Sequence, residues 1–155
     1  MAVALRQRST MAHHPNSGSV DSALRQERFQ LSARGASVAL ARHRVRSRVL
    51  EWGFQEDHCE SAELVMSELF TNALVHTGSE QILCVLRAHE RRMLYIEVAD
   101  QGGGPAVPTP REAGLEDECG RGLALVRALA DAWGDRPGVN GGRVVWAQMS
   151  VTTGR

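Results

Sequence analysis

Glu68 and Asn72 stand four residues apart in "SELFTNALVH" (67–76), a stretch otherwise built to be buried. Four residues of a helix advance about 400°, so the two side chains lie roughly 40° apart and one turn along. A carboxylate and an amide oxygen so placed suit a hard cation such as Mg2+, or a water to be deprotonated. Taken alone, the stretch reads more simply as an exposed acid and a mid-helix asparagine, neither suited to burial. His76 falls nearer the apolar face, where a core or C-terminal histidine is the simpler description than a ligand.

Two further stretches carry chemistry. In "VADQGGGP" (98–105) an apolar run ends in Asp100, and Gly102, Gly103 and Gly104 follow. Such glycines permit positive φ and let a ligand approach the main chain closely. A carboxylate at a strand end accepts a hydrogen bond from an exocyclic amine, as adenine offers; an ordinary Asp-plus-Gly turn is the plainer alternative. In "CGRGLALV" (119–126), Gly120 and Gly122 flank Arg121 immediately before Leu123 and a helical pattern. Free N–H groups and the helix dipole there favour an anion, with Arg121 adding charge. A loose helix start explains the same residues.

Positioning these groups needs a definite set of elements. "RFQLS" (28–32) alternates as a half-buried strand does. Val38, Ala41, Val45, Val49 and Trp52 recur at helical spacing before Gly53. A second helix, with Asp57 as its N-cap, is predicted to run to about Val75 and end near Gly78, burying Ala62, Val65, Met66, Leu69 and Ala73. "QILCVLRA" and "RMLYIEVAD" read as antiparallel strands. The next 22 residues, "QGGGPAVPTPREAGLEDECGRG", hold three Pro and six Gly, and a structureless loop this long is usually functional. "GLALVRALADAWG" resumes helical spacing through Trp133, and Asn140-Gly141 signals a turn before a closing strand. The order β, α, α, β, β, long loop, α, β describes an α+β two-layer sandwich, with helices on one face of a mostly antiparallel sheet.

Composition narrows the setting. A chain of 155 residues fits one domain, read as 28–151 behind a disordered, polar tail at 1–26. Zero formal net charge gives no general attraction to nucleic acid or membranes. No apolar run approaches the roughly 18 residues that span a bilayer. Cys59, Cys84 and Cys119 have neither zinc-ligand nor CxxC spacing, so a reduced, cytoplasmic location is expected. Arg42, Arg44, Arg46 and Arg48 form a basic face on the first helix, solvated or facing an acidic partner.

Together the three stretches recur in one order: E-x-x-x-N on a helix, D-x-G-x-G after a strand, a long loop, then G-x-G-L opening a helix. This order resembles the GHKL (Bergerat-fold) ATPase superfamily, with its N box, G1 box, ATP lid and G2 box. Within it, "SELFTNALVHTG" and "GRGLALVRALADAWG" are similar to the anti-sigma factor serine/threonine kinases. The resemblance covers roughly residues 28–151.

The resemblance implies a role for each matching residue. Glu68 would be the general base, and Asn72 would hold Mg2+ between the phosphates of ATP. Asp100 would read the adenine amino group, with Gly102 and Gly104 lining the nucleotide. Gly120, Arg121, Gly122 and Leu123 would present backbone amides to the phosphates when a flexible lid, about 105–119, closes. Family members of this layout bind a sigma factor and phosphorylate a STAS-domain antagonist, and relatives often form homodimers. The competing reading is a nucleotide-gated binding module without phosphoryl transfer, in which Asn72 still matters and Glu68 does not. A detached histidine-kinase catalytic domain is disfavoured, because His13 and His14 lie in a polar tail beside Pro15 rather than on a helix.

Overall fold

The computed structural model describes residues 24–102 and 122–151. Strand β1 (Arg25–Ser32) leads into α1 (Ser37–Glu51) and α2 (Glu56–His76). Then come β2 (Gln81–His89), β3 (Met93–Asp100), α3 (Gly122–Leu129), β4 (Ala132–Pro137) and β5 (Arg143–Ser150). The five strands form one antiparallel sheet in the order β1-β2-β3-β5-β4. This is the α+β sandwich that the pattern predicts.

The core lies between the helices and one face of the sheet. Strand residues that alternate inward, among them Phe29, Cys84, Leu86, Ile96, Val98 and Ala147, meet Val45, Val49, Met66, Leu69, Phe70 and Val126 from the helices. All five positions assigned to the apolar face of α2 are buried. No helix among the described residues is long and apolar enough to cross a membrane.

The opposite face is covered by its own long side chains. The Arg87 guanidinium lies 5.1 Å from the centroid of the Tyr95 ring, which stacks on Trp146 at 6.0 Å. Gly134 makes room for Trp146, since a Cβ there would sit 3.1 Å from the indole. Beside this row Glu97, only 6% exposed, accepts hydrogen bonds from Arg136 and Tyr95, each at 2.7 Å. Burial pushes the Glu97 carboxyl up, but the bonds from Arg136 and Tyr95 outweigh it and hold it below its ordinary value.

Several boundaries differ from the sequence pattern. Helix α2 starts at Glu56 with Gln55 as N-cap, so Asp57 sits in the first turn beside Glu56. Both acids then face the positive end of the helix dipole, which serves them as well as a cap position. The helix ends because Thr77 is extended, not through a left-handed glycine at 78. Gly53 does end α1 in that way, at φ +87°.

The last predicted helix is cut short. It stops at Leu129, and the Asp131 N–H donates to Gln148 O, starting the β4 ladder. Trp133 packs against the core from a strand, where a period of 2 places it as well as a period of 3.6 would. The Asn140-Gly141 turn forms as its residues require, with both at positive φ (51° and 75°).

The basic face of α1 is spent within the chain. Arg44 and Arg48 both hold Glu27 of β1, and Arg48 also bonds Glu51. Arg46 bridges to Glu63 at 3.1 Å and to Glu56. Among the four arginines, three therefore tie α1 to β1 and α2, or to α1 itself.

Candidate nucleotide site

Helix α2 carries both N-box residues and packs between α1, α3 and β3. Its apolar stripe fixes the helix rotation, which leaves Glu68 partly exposed and buries Asn72 to 4% exposure. Burial of Asn72 departs from the expectation that neither residue suits the interior. Asn72 is engaged in the fold rather than left without a partner, as a buried polar residue requires. No side-chain hydrogen bond or ion pair among the described residues engages Glu68.

The chain leaves α2 through Thr77–Glu80 and enters β2, whose Ile82 pairs with Asp100 at the end of β3. The C-terminal end of α2 thus arrives beside the G1 residues. Two hydrogen bonds make the join: Ser79 N–H donates to Thr77 Oγ1 and Gln101 N–H donates to Ser79 Oγ, each at 3.0 Å.

Asp100 is held by the main chain. Its Oδ1 accepts the Gly102 N–H at 3.0 Å and its Oδ2 accepts the Arg143 N–H at 3.2 Å. A carboxylate offers about four acceptor sites, so each oxygen keeps one for a ligand donor. Gly102, at φ +64°, is required twice over: a Cβ there would lie 2.3 Å from Asn140 O and 2.6 Å from Val139 O. Gly142 closes the other side, where a Cβ would lie 2.7 Å from Asp100 Oδ1.

Helix α3 begins at Gly122, and its Leu123 and Val126 are buried against the core. Gly104, Gly120, Arg121 and the lid at 105–119 lie outside the described residues. The structure therefore carries Glu68 and Asn72 on one helix that packs against β3 and α3, and the link after that helix reaches Gln101, between Asp100 and Gly102, through Ser79. A separate hollow of about 900 Å3 on the helix-free face reaches Asp100 and Gln101 but is not lined by Glu68 or Asn72.

Three contributors leave no site signal in the sequence: Ser79, Gly142 and the Arg143 amide; the Asn140-Gly141 turn was legible as a turn but not as the wall against Gly102. A Thr-x-Ser between a helix end and a strand is a legible side-chain-to-backbone signal. The pairing of Arg143 with Asp100, 43 residues apart, leaves no local trace.

The donor set bears on which groups fit. Among the described residues no three His, Cys, Asp or Glu side chains group to hold a metal ion. A lone amide with a nearby carboxylate suits Mg2+ that brings most of its oxygens as phosphate and water. The anchored Asp100 suits an amine donor, and the crowding at Gly102 suits a close main-chain approach. The family model described as the histidine kinase-like ATPase domain matches residues 31–149, from within β1 to within β5. No curated protein matches the chain.

Proposed function

Because the chain belongs to the histidine kinase-like ATPase domain family, within the GHKL superfamily, we propose that it binds Mg-ATP and acts as a protein serine/threonine kinase and anti-sigma factor. Its phosphoacceptor is a STAS-domain antagonist, and its other partner is a sigma factor that it holds inactive. Asn72 would hold Mg2+, Asp100 would take the adenine amino group, Gly102 would line the nucleotide, and Gly122 would present its backbone amide to the phosphates. When bound, ATP would supply its γ-phosphoryl group and leave as ADP, with Mg2+ offsetting the phosphate charge. Glu68 takes the proton from the serine or threonine hydroxyl of the partner.

The observation that carries this reading is the contrast along one turn of α2. Asn72 is buried and committed, whereas the Glu68 carboxylate is partly exposed with its acceptor sites uncommitted among the described residues. A base must stay available to an incoming hydroxyl, and a partly exposed carboxylate with no ion pair among the described residues meets that need.

The test is transfer of label from the γ-phosphate of ATP to a STAS-domain partner, with mass spectrometry to identify the modified residue. Phosphoserine or phosphothreonine on the partner supports the proposal. Nucleotide-dependent partner affinity with no transfer instead supports a binding module that uses Asn72 and Asp100 and leaves Glu68 idle.

A further inference from the structure

We propose that Ser79 is a positioning residue that holds Asp100 in its base-reading orientation and so sets the preference for adenine over guanine nucleotides. This rests on the nucleotide-binding reading of the same site.

Ser79 belongs to neither the N box nor the G1 box, yet it joins them. It lies in the link between α2 and β2, oriented by its N–H bond to Thr77 Oγ1. Its Oγ accepts the Gln101 N–H from a position 22 residues earlier in the chain. That N–H belongs to the peptide unit that carries the Asp100 carbonyl, so fixing it fixes the direction in which the chain leaves Asp100. The next N–H, of Gly102, goes to Asp100 Oδ1, and Arg143 N–H occupies Oδ2. Ser79 is therefore the side-chain anchor of a turn otherwise held by Asp100 itself and by main chain.

Adenine presents an amino donor at C6, which a carboxylate attracts; guanine presents an oxygen there, which it repels. That discrimination depends on the carboxylate keeping its direction. Without the Ser79 hydroxyl the Gln101 N–H, in a partly buried setting, must turn toward water, and the turn carrying Asp100 loosens with it.

The experiment measures ATP and GTP dissociation constants by calorimetry for the wild type, Ser79→Ala and Ser79→Thr, with amide hydrogen exchange at Gln101 in the nucleotide-free protein. Ser79→Ala should narrow the ATP-over-GTP preference by about five- to tenfold, the loss of one hydrogen bond at a partly buried group. Ser79→Thr should restore the preference, which a general loss of stability would not explain. The wild-type Gln101 amide should be protected from exchange. An unprotected Gln101 amide, or an unchanged preference in a folded Ser79→Ala, overturns the role of Ser79 while the wild type still discriminates. A wild type that binds neither nucleotide overturns the nucleotide-binding reading and this role together.

Discussion

Arg143 donates its main-chain N–H to Oδ2 of Asp100 at 3.2 Å, joining the start of β5 to the end of β3. The bond makes the orientation of one carboxylate a property of the β4–β5 hairpin. A side chain meant to recognise a ligand donor works best when its own geometry is settled before the ligand arrives.

Replacing Asp100 by Asn tests that arrangement. The amide NH2 must face either Gly102 N–H or Arg143 N–H, donor against donor. Adenine-nucleotide affinity should fall at least about tenfold and stability by about 1–3 kcal/mol, the cost of an unpaired N–H. Calorimetry and urea unfolding read the two effects separately.

Gly102→Ala should be harsher. The residue sits at φ +64°, and the new methyl would meet the carbonyls of Asn140 and Val139. Backbone strain alone contributes about 1–3 kcal/mol, and shifting the turn disturbs Arg143 and hence Asp100. A lowered melting midpoint together with lost nucleotide binding is the expected result; a variant as stable as the wild type contradicts the packing described.

Acid sensitivity should centre in part on Glu97. Its folded-state carboxyl lies below the ordinary value of 4.5, so it binds its proton less readily folded than unfolded. Its contribution to stability is present above that ordinary value and is lost as pH falls below it. Glu97→Gln should therefore flatten the acid limb of stability against pH. Arg136→Ala leaves the buried carboxylate without its cation and should cost about 1–3 kcal/mol near neutral pH.

Thiol chemistry offers a check on the core. Cys59 and Cys84 are buried, and burial pushes the Cys84 thiol up to about 12 and raises Cys59 as well. Thiolate is the reactive form, so both should resist alkylation in the folded protein and label only on unfolding. Peptide mapping after timed iodoacetamide treatment gives the answer residue by residue.

How far the sequence carried the fold differed by element. The α2 stripe of Ala62, Val65, Met66, Leu69 and Ala73 was legible because helical period and burial agree there. The Asn140-Gly141 turn was legible because both residues tolerate positive φ. Strand β4 was not, since Trp133 satisfies either period and only pairing with β5 decides. Asp100 and Gly102 stand out in the sequence as a carboxylate and a glycine at a strand end, but what holds them does not. Ser79, Gly142 and Arg143 come from other segments, and only the sheet register brings them together. The ion pairs of the α1 arginines were hidden for a related reason: a regular basic spacing does not reveal that Glu27, Glu56 and Glu63 lie within reach.

The proposed function divides the labour on α2, with Asn72 needed for binding and Glu68 for turnover. It is tested most directly by measuring Mg-ATP affinity and single-turnover phosphoryl transfer to a STAS-domain partner in Glu68→Gln and Asn72→Ala. Glu68→Gln should bind Mg-ATP within about twofold of the wild type while transfer falls by at least about 100-fold, the usual scale of general base catalysis. Asn72→Ala should lose affinity and transfer together. Transfer by Glu68→Gln at the wild-type rate would contradict it.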